Sequence, residues 1–216
     1  MNRVRVKICG ITSLTDLNIA VEAGADAIGM IVDVPESPRN ISIDQAKKLI
    51  KATPIFVDTV VVTVPEDINH LVKLNQELKP RVLQVHGLEI SYKKIRDKLL
   101  YVQLFGAIRV KPSLKIEDVI KFTSFLDAIL LDSYVPGKKG GSEVTHDWEI
   151  RKRIKKAIAP TPLILAGGLS PENIKKAINT VKPSAVDVSS GVEASPGIKD
   201  RDKVFEFVKN AREVKI

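Results

Sequence analysis

A thiol, several carboxylates and an arginine stand where acid–base chemistry on an anionic substrate is possible. The chain's only cysteine, Cys9, closes the segment "RVRVKIC" and is followed by Gly10. There Val4, Val6 and Ile8 share one parity while Arg5, Lys7 and Cys9 share the other, the pattern of a strand with one apolar face. "VLQVHG" carries Gln84 and His86, "AILLDS" ends near Asp132, and "AVDVSS" carries Asp187 and Ser189. A thiolate can take a proton from carbon, a carboxylic acid can give one to oxygen, and a cationic neighbour favours the thiolate. Each residue also has a plainer reading. A lone cysteine is often a small buried apolar residue. Lys7 and Asp187 fit an interior ion pair that leaves a fixed charge beneath Cys9. His86 fits a satisfied core histidine as well as a pocket residue, and Asp132 fits a turn or N-cap as well as an acid.

Eight β-branched runs, each followed by a helical period, must position these groups. They begin with "RVKIC" before "SLTDLNIAVEAG" and end with "AVDVSSGVE" before "DRDKVFEFVKNAREV". The third run is read as "IFVDTVVVTV" and the sixth helix as "DWEIRKRIKKAI". Ser42 with Asp44, Pro65 with Glu66 and Asp67, and Ser170-Pro171-Glu172 match helix-start chemistry. Alternating strands and helices imply a parallel sheet. Eight units without a linker predict one (β/α)8 barrel domain over residues 1–216. An open doubly wound sheet is the rival, but no GxGxxG follows the first strand. In a closed barrel the polar parity points inward, and active sites gather at the C-terminal strand ends.

Two glycine-bearing strand ends follow in succession, "LAGGLSPEN" and "DVSSGVEASPGIKD". Glycines let a phosphate approach backbone N–H groups, and the loops after strands 7 and 8 are the recurrent phosphate site of such barrels. Gly168, Ser190 and Gly191 are the best candidates. The same glycines serve equally as turn residues.

Composition bounds the alternatives. The chain has 216 residues, 44% of them hydrophobic, and a net charge of +8. A single cysteine forms no internal disulfide, which suits a reducing compartment. No secretory pattern opens the chain and no apolar run reaches membrane-spanning length, so we expect a cytoplasmic protein without a membrane partner. The positive charge alone would support a nucleic-acid-binding barrel without catalytic activity. Aromatics make up only 5%, with no aromatic–basic interleaving, so no nucleic-acid partner is expected. Lysine- and arginine-rich segments such as "IRKRIKKAI" read as solvated helix faces.

The motifs "KICGIT", "SPRNIS", "QVHG", "LLDS", "LAGGLSPEN" and "DVSSGVE…PGIKD" run the length of the chain. In this order and spacing the sequence resembles the phosphoribosylanthranilate isomerases of tryptophan biosynthesis. The resemblance implies an Amadori rearrangement of N-(5-phosphoribosyl)anthranilate with no metal or other cofactor. It implies Cys9 as general base, Asp132 as general acid and Arg39 as the group gripping the anthranilate carboxylate. His86 and Asp187 are left as pocket wall. The implied partner is a small phosphorylated substrate, and the assembly a monomer or homodimer. The sequence departs from the family at Ser142 and Glu143 in a glycine-rich loop expected to cover the substrate, and at Asp33 and Glu36 near "SPR". Other phosphate-binding barrels, a sugar-phosphate epimerase or an indoleglycerol-phosphate synthase, are the alternatives. Three histidines are poor provision for a metal-dependent epimerase, and the synthase's N-terminal extension is missing.

Overall fold

A computed structural model of the chain describes residues 3–87, 91–133 and 145–215, with side chains from Trp148 onward in the last stretch. Ser142 and Glu143 lie outside the described residues. The barrel strands are β1 (Arg5–Cys9), β2 (Ala27–Val32), β3 (Asp58–Thr63), β4 (Val82–His86), β5 (Gln103–Val110), β6 (Ala128–Ser133), β7 (Leu163–Leu165) and β8 (Ala185–Val188). Each pairs in parallel with the next, and β1 pairs with both β2 and β8, which closes the sheet. A helix follows every strand: α1 (Leu14–Ala23), α2 (Ile43–Ala52), α3 (Ile68–Leu78), α4 (Tyr92–Lys98), α5 (Ile116–Ile120), α6 (Thr145–Ala157), α7 (Ile174–Val181) and α8 (Arg201–Glu213). This is the (β/α)8 barrel that the alternation of patterns predicts.

The two strand parities bury into two separate layers. Val6, Ile8, Ile28, Met30, Leu83, Ile129, Leu165 and Val186 join the layer between sheet and helices. The barrel interior is filled instead by two smaller clusters. One holds Cys9 with Val60, Val62 and Val82; the other holds Ala107, Ala128, Leu130, Ile164 and Ala166, and Phe105 packs against both. Lys7, Gln84 and Asp187 share the interior parity and are buried. Cys9, His86 and Asp132 stand at or near the C-terminal ends of β1, β4 and β6, so polar side chains reach the C-terminal mouth.

Local chemistry sets most helix starts. Ser42 caps α2 by accepting from the Gln45 N–H, as its sequence suggests. Two starts fall later than the sequence signals. Asp67, rather than Pro65, caps α3 through the His70 N–H. The turn at Ser170-Pro171-Glu172 precedes α7, whose N-cap is Asn173. The third apolar run is also shorter than read. Its strand begins at Asp58, and Ile55 and Phe56 lie outside it, 90% and 91% exposed. Two features carry no sequence signal of their own. A two-residue strand, Asn40–Ile41, adds to β2 beyond the "SPR" turn. A 3₁₀ turn at Ser190–Val192 leads into a hairpin, Glu193–Ser195 with Ile198–Lys199, in a stretch read only as loop.

Candidate active site

Cys9 ends β1 inside the mouth of the barrel and is buried. Its register partner on β2 is Gly29. A Cβ at Gly29 would stand 2.8 Å from the Cys9 Sγ and 3.0 Å from the Lys7 Nζ, so only glycine leaves room for both groups. Gly10 then turns the chain out of the strand with φ +77°, in the left-handed region that favours glycine. Lys7 lies one inward position below Cys9, and its Nζ donates to the Asp187 Oδ1 at 2.9 Å. Strands β1 and β8 are direct neighbours, with Lys7 opposite Asp187 in register. The interior ion pair expected from parity is therefore present.

The charge environment of Cys9 departs from the expectation in its net effect. Lys7 and Lys199 both favour the thiolate, and Lys7 also hydrogen-bonds it. Burial outweighs them, and Asp187 opposes them too, so the thiol is held above its ordinary value. Lys7 feels the mirror image. Burial pulls it down, but Asp187 and Cys9 together more than compensate, and its ammonium is strengthened.

Asp132 ends β6 at the same mouth. Burial raises its pKa, the nearby Asp187 raises it further, and Arg151, the Ser133 N–H and Arg109 pull it back only in part. Its carboxyl thus leans toward the acid form. Asp187 acts on both Cys9 and Asp132, so its charge links the two groups. His86, at the end of β4, lies 3.0 Å from the Gln84 amide nitrogen through its Nε2. Burial and the charges of Lys7 and Arg109 pull its pKa down to about 4, leaving a neutral imidazole at pH 7.

Arg39 closes the "SPR" turn and reaches back over Gly10, where a Cβ would stand 2.6 Å from its Cδ. Its guanidinium grips Glu193 with two hydrogen bonds, Nε to Oε1 at 2.7 Å and Nη2 to Oε2 at 2.6 Å. Lys199 donates to the same Oε1 at 2.9 Å. Asp33 turns toward α3, its Oδ2 lying 3.0 Å from the His70 Nε2, and Glu36 is exposed. Beside this cluster the loops after β7 and β8 meet backbone to backbone. A Cβ at Gly191 would lie 1.9 Å from the Leu169 carbonyl oxygen, whereas one at Gly168 would meet nothing within 4 Å. The two loops thus form one surface, with Gly168 open and Ser190 and Gly191 in the adjoining 3₁₀ turn.

Two arginines belong to this neighbourhood without having been singled out. Arg109 lies opposite Asp132 on β5 and shares the parity of Phe105 and Ala107, a signal the inward-face argument could have used. Arg151, read within a solvated helix face, is instead fully buried. It donates to the Ala166 carbonyl at 2.7 Å and to the Ser133 Oγ at 2.8 Å, bracing the ends of β6 and β7. The signal was present: Trp148, Arg151, Ile154 and Ile158 fall on one helical stripe, and Trp148, Ile154 and Ile158 are buried beside it. Among the described residues, no three His, Cys, Asp or Glu side chains cluster to hold a metal. No helix there is long and apolar enough to cross a membrane.

A thiol, a carboxyl and a glycine-bearing loop surface at the C-terminal mouth of a closed parallel barrel are the groups that a (β/α)8-barrel enzyme of the acid–base type requires. Comparison with known proteins narrows this. The family model described as N-(5'phosphoribosyl)anthranilate (PRA) isomerase matches residues 6–210, and the chain belongs to that family. It is 42% identical to the N-(5'-phosphoribosyl)anthranilate isomerase of Haloferax volcanii, over 96% of this chain and 93% of the relative. The crystal structure of the Thermotoga maritima enzyme superposes with a TM-score of 0.87 at 39% identity, taking in 98% of this chain and 100% of that one. A second isomerase structure, in complex with reduced 1-(o-carboxyphenylamino)-1-deoxyribulose 5-phosphate, gives a TM-score of 0.83 at 36% identity, with 98% and 100% of the chains covered.

Proposed function

We propose that this chain converts N-(5-phosphoribosyl)anthranilate into 1-(2-carboxyphenylamino)-1-deoxyribulose 5-phosphate, with Asp132 as general acid and Cys9 as general base. One observation carries the assignment of roles. A carboxyl held toward its acid form and a thiol flanked by two lysines stand at the ends of β6 and β1, in one mouth, under the shared influence of Asp187.

The protons balance as follows. Asp132 protonates the furanose ring oxygen. The C1–O bond breaks toward that oxygen, and the anthranilate nitrogen lone pair forms the C1=N iminium. Cys9, as thiolate, removes the proton from C2. The C2–H electron pair becomes the C1=C2 bond, and the iminium π pair returns to nitrogen. The resulting enolamine loses its hydroxyl proton and gains one at C1, giving the ketone. Substrate has then gained one proton and lost one. Asp132 is left as carboxylate and Cys9 as thiol, and exchange with solvent resets both. The iminium's positive charge arises beside Cys9 and favours the thiolate when it is needed.

The remaining groups bind. Arg39 holds the anthranilate carboxylate, which a guanidinium grips bidentately. Gly168, Ser190 and Gly191 receive the phosphate through backbone N–H groups. Lys7–Asp187 fixes the field beneath the reacting carbons, and neutral His86 lines the wall. The test is to incubate the protein with freshly prepared phosphoribosylanthranilate, follow loss of its fluorescence, and identify the product. A ketone of unchanged mass is expected. Recovery of unaltered substrate, beyond its spontaneous breakdown, contradicts the reading.

A further inference from the structure

Glu193 takes no part in that chemistry, yet it joins Arg39 to Lys199, a cation that acts on Cys9. Its side chain is 5% exposed and accepts three hydrogen bonds from two cations. Glu193 and Lys199 face each other directly across the hairpin, so the backbone presents the pair as one unit. The hairpin is itself tied down, because the Lys199 N–H donates to the buried Asp16 at 2.9 Å. Lys199 is wholly buried and also reaches the Ser189 carbonyl at 3.3 Å.

We propose that Glu193 is a positioning residue that couples the carboxylate anchor Arg39 to the base Cys9. The inference rests on the roles proposed above for those two residues. Its first half is geometric. A guanidinium has five N–H donors, and Glu193 engages one from Nε and one from Nη2. The fork is thereby fixed across Gly10, and Nη1 with the second Nη2 hydrogen remains to grip a substrate carboxylate. Unheld, an arginine must lose its rotamer freedom at each binding event.

The second half is electrostatic. Four charged groups act on Cys9 from four elements: Lys7 on β1, Asp187 on β8, Lys199 on the hairpin and Arg39 closing the "SPR" turn. Glu193 partly neutralises the last two. It thereby sets how strongly they favour the thiolate, while keeping the buried Lys199 paired.

The test uses wild type, Glu193→Gln, Glu193→Asp and Glu193→Gln/Lys199→Met. Cys9 is the only cysteine, so the pH dependence of alkylation by iodoacetamide reports it alone and needs no substrate. In Glu193→Gln the alkylation midpoint is expected to fall by about half a pH unit, because two cations lose their counter-charge. KM for phosphoribosylanthranilate is expected to rise about tenfold, with kcat changing far less, because a charged hydrogen-bonded support is lost. Glu193→Asp restores the charge at shorter reach, so the midpoint returns toward wild type while KM stays raised. The double variant removes both charges and keeps the test open if the single variant folds poorly. Its midpoint is also expected near wild type, with KM raised. An unmoved midpoint and unmoved KM in Glu193→Gln overturn the coupling. If wild type does not turn the substrate over, the functional reading fails separately, and the alkylation midpoints still decide the link from Glu193 to Cys9.

Discussion

Cys9 and Asp132 are each pushed toward the protonated form, which fixes how the rate should vary with pH. In the proposed mechanism the working state has the thiol ionised and the carboxyl protonated. Between the two pKa values the abundant state is the reverse, with proton on sulfur and charge on the carboxylate. Both states hold the same number of protons, so the working share does not change across that window. A flat kcat/KM is expected between the raised pKa of Asp132 and the raised pKa of Cys9, with a fall on either side. An alkaline limb that sets in below the ordinary thiol range would contradict the burial that raises Cys9. At this scale much was legible in the sequence. Strand parity and closure of β1 on β8 are enough to set Lys7 against Asp187. The partner of Arg39 was not legible, because Glu193 lies 154 residues away in a stretch with no regular pattern. The sign of the thiol shift was not legible either. It is a contest between burial and neighbouring charge that sequence does not weigh.

At the scale of elements, α6 does more than cover the barrel. Its Arg151 passes through the helix-facing layer to the ends of β6 and β7, beside Asp132 and the loop that opens at Ala166. Replacing it by Met leaves the buried Ala166 carbonyl and the part-buried Ser133 hydroxyl without this donor. Arg151→Met should therefore cost about 2–4 kcal/mol in chemical denaturation. It should also raise the pKa of Asp132, since Arg151 pulls that carboxyl down. The lower limb of the pH–rate profile would move to higher pH. An unchanged limb with lost stability would make Arg151 a brace only. The strand–helix alternation was legible because each strand has its own apolar parity and each helix its stripe. The hairpin after β8 was not, since its strands have three and two residues and are held by the Glu193–Lys199 pair rather than by apolar alternation. Ile55 and Phe56 misled for the opposite reason: they look like strand residues but precede the first ladder partner of β3.

Across the whole molecule, the site's requirements weigh on the stability of the fold. His86 titrates near 4 when folded and near 6.5 when unfolded. Above pH 6.5 both states hold it neutral and the fold bears no penalty. As pH falls from 6.5 to 4, the unfolded chain gains a proton that the folded barrel refuses, and stability drops by about 3 kcal/mol. Denaturant unfolding at pH 7 and pH 4.5 should show most of this loss in wild type and far less in His86→Gln. Equal losses in both would assign the acid sensitivity to other groups. The barrel's closure makes this cost coherent, because one sealed sheet carries the proposed base on β1, the proposed acid on β6 and the Asp187 charge that acts on both on β8. Strand order follows from eight alternating patterns, whereas the loop contacts that complete the mouth come from residues far apart in the chain.

The most direct measurement compares turnover of phosphoribosylanthranilate by wild type, Cys9→Ser and Asp132→Asn, each shown by circular dichroism to be folded. Wild type should turn over, and each variant should fall by about 10²–10⁴-fold, the range set by losing a positioned acid or base. Near-wild-type turnover by either variant would contradict the assignment of acid and base, and an inert wild type would contradict the proposed reaction itself.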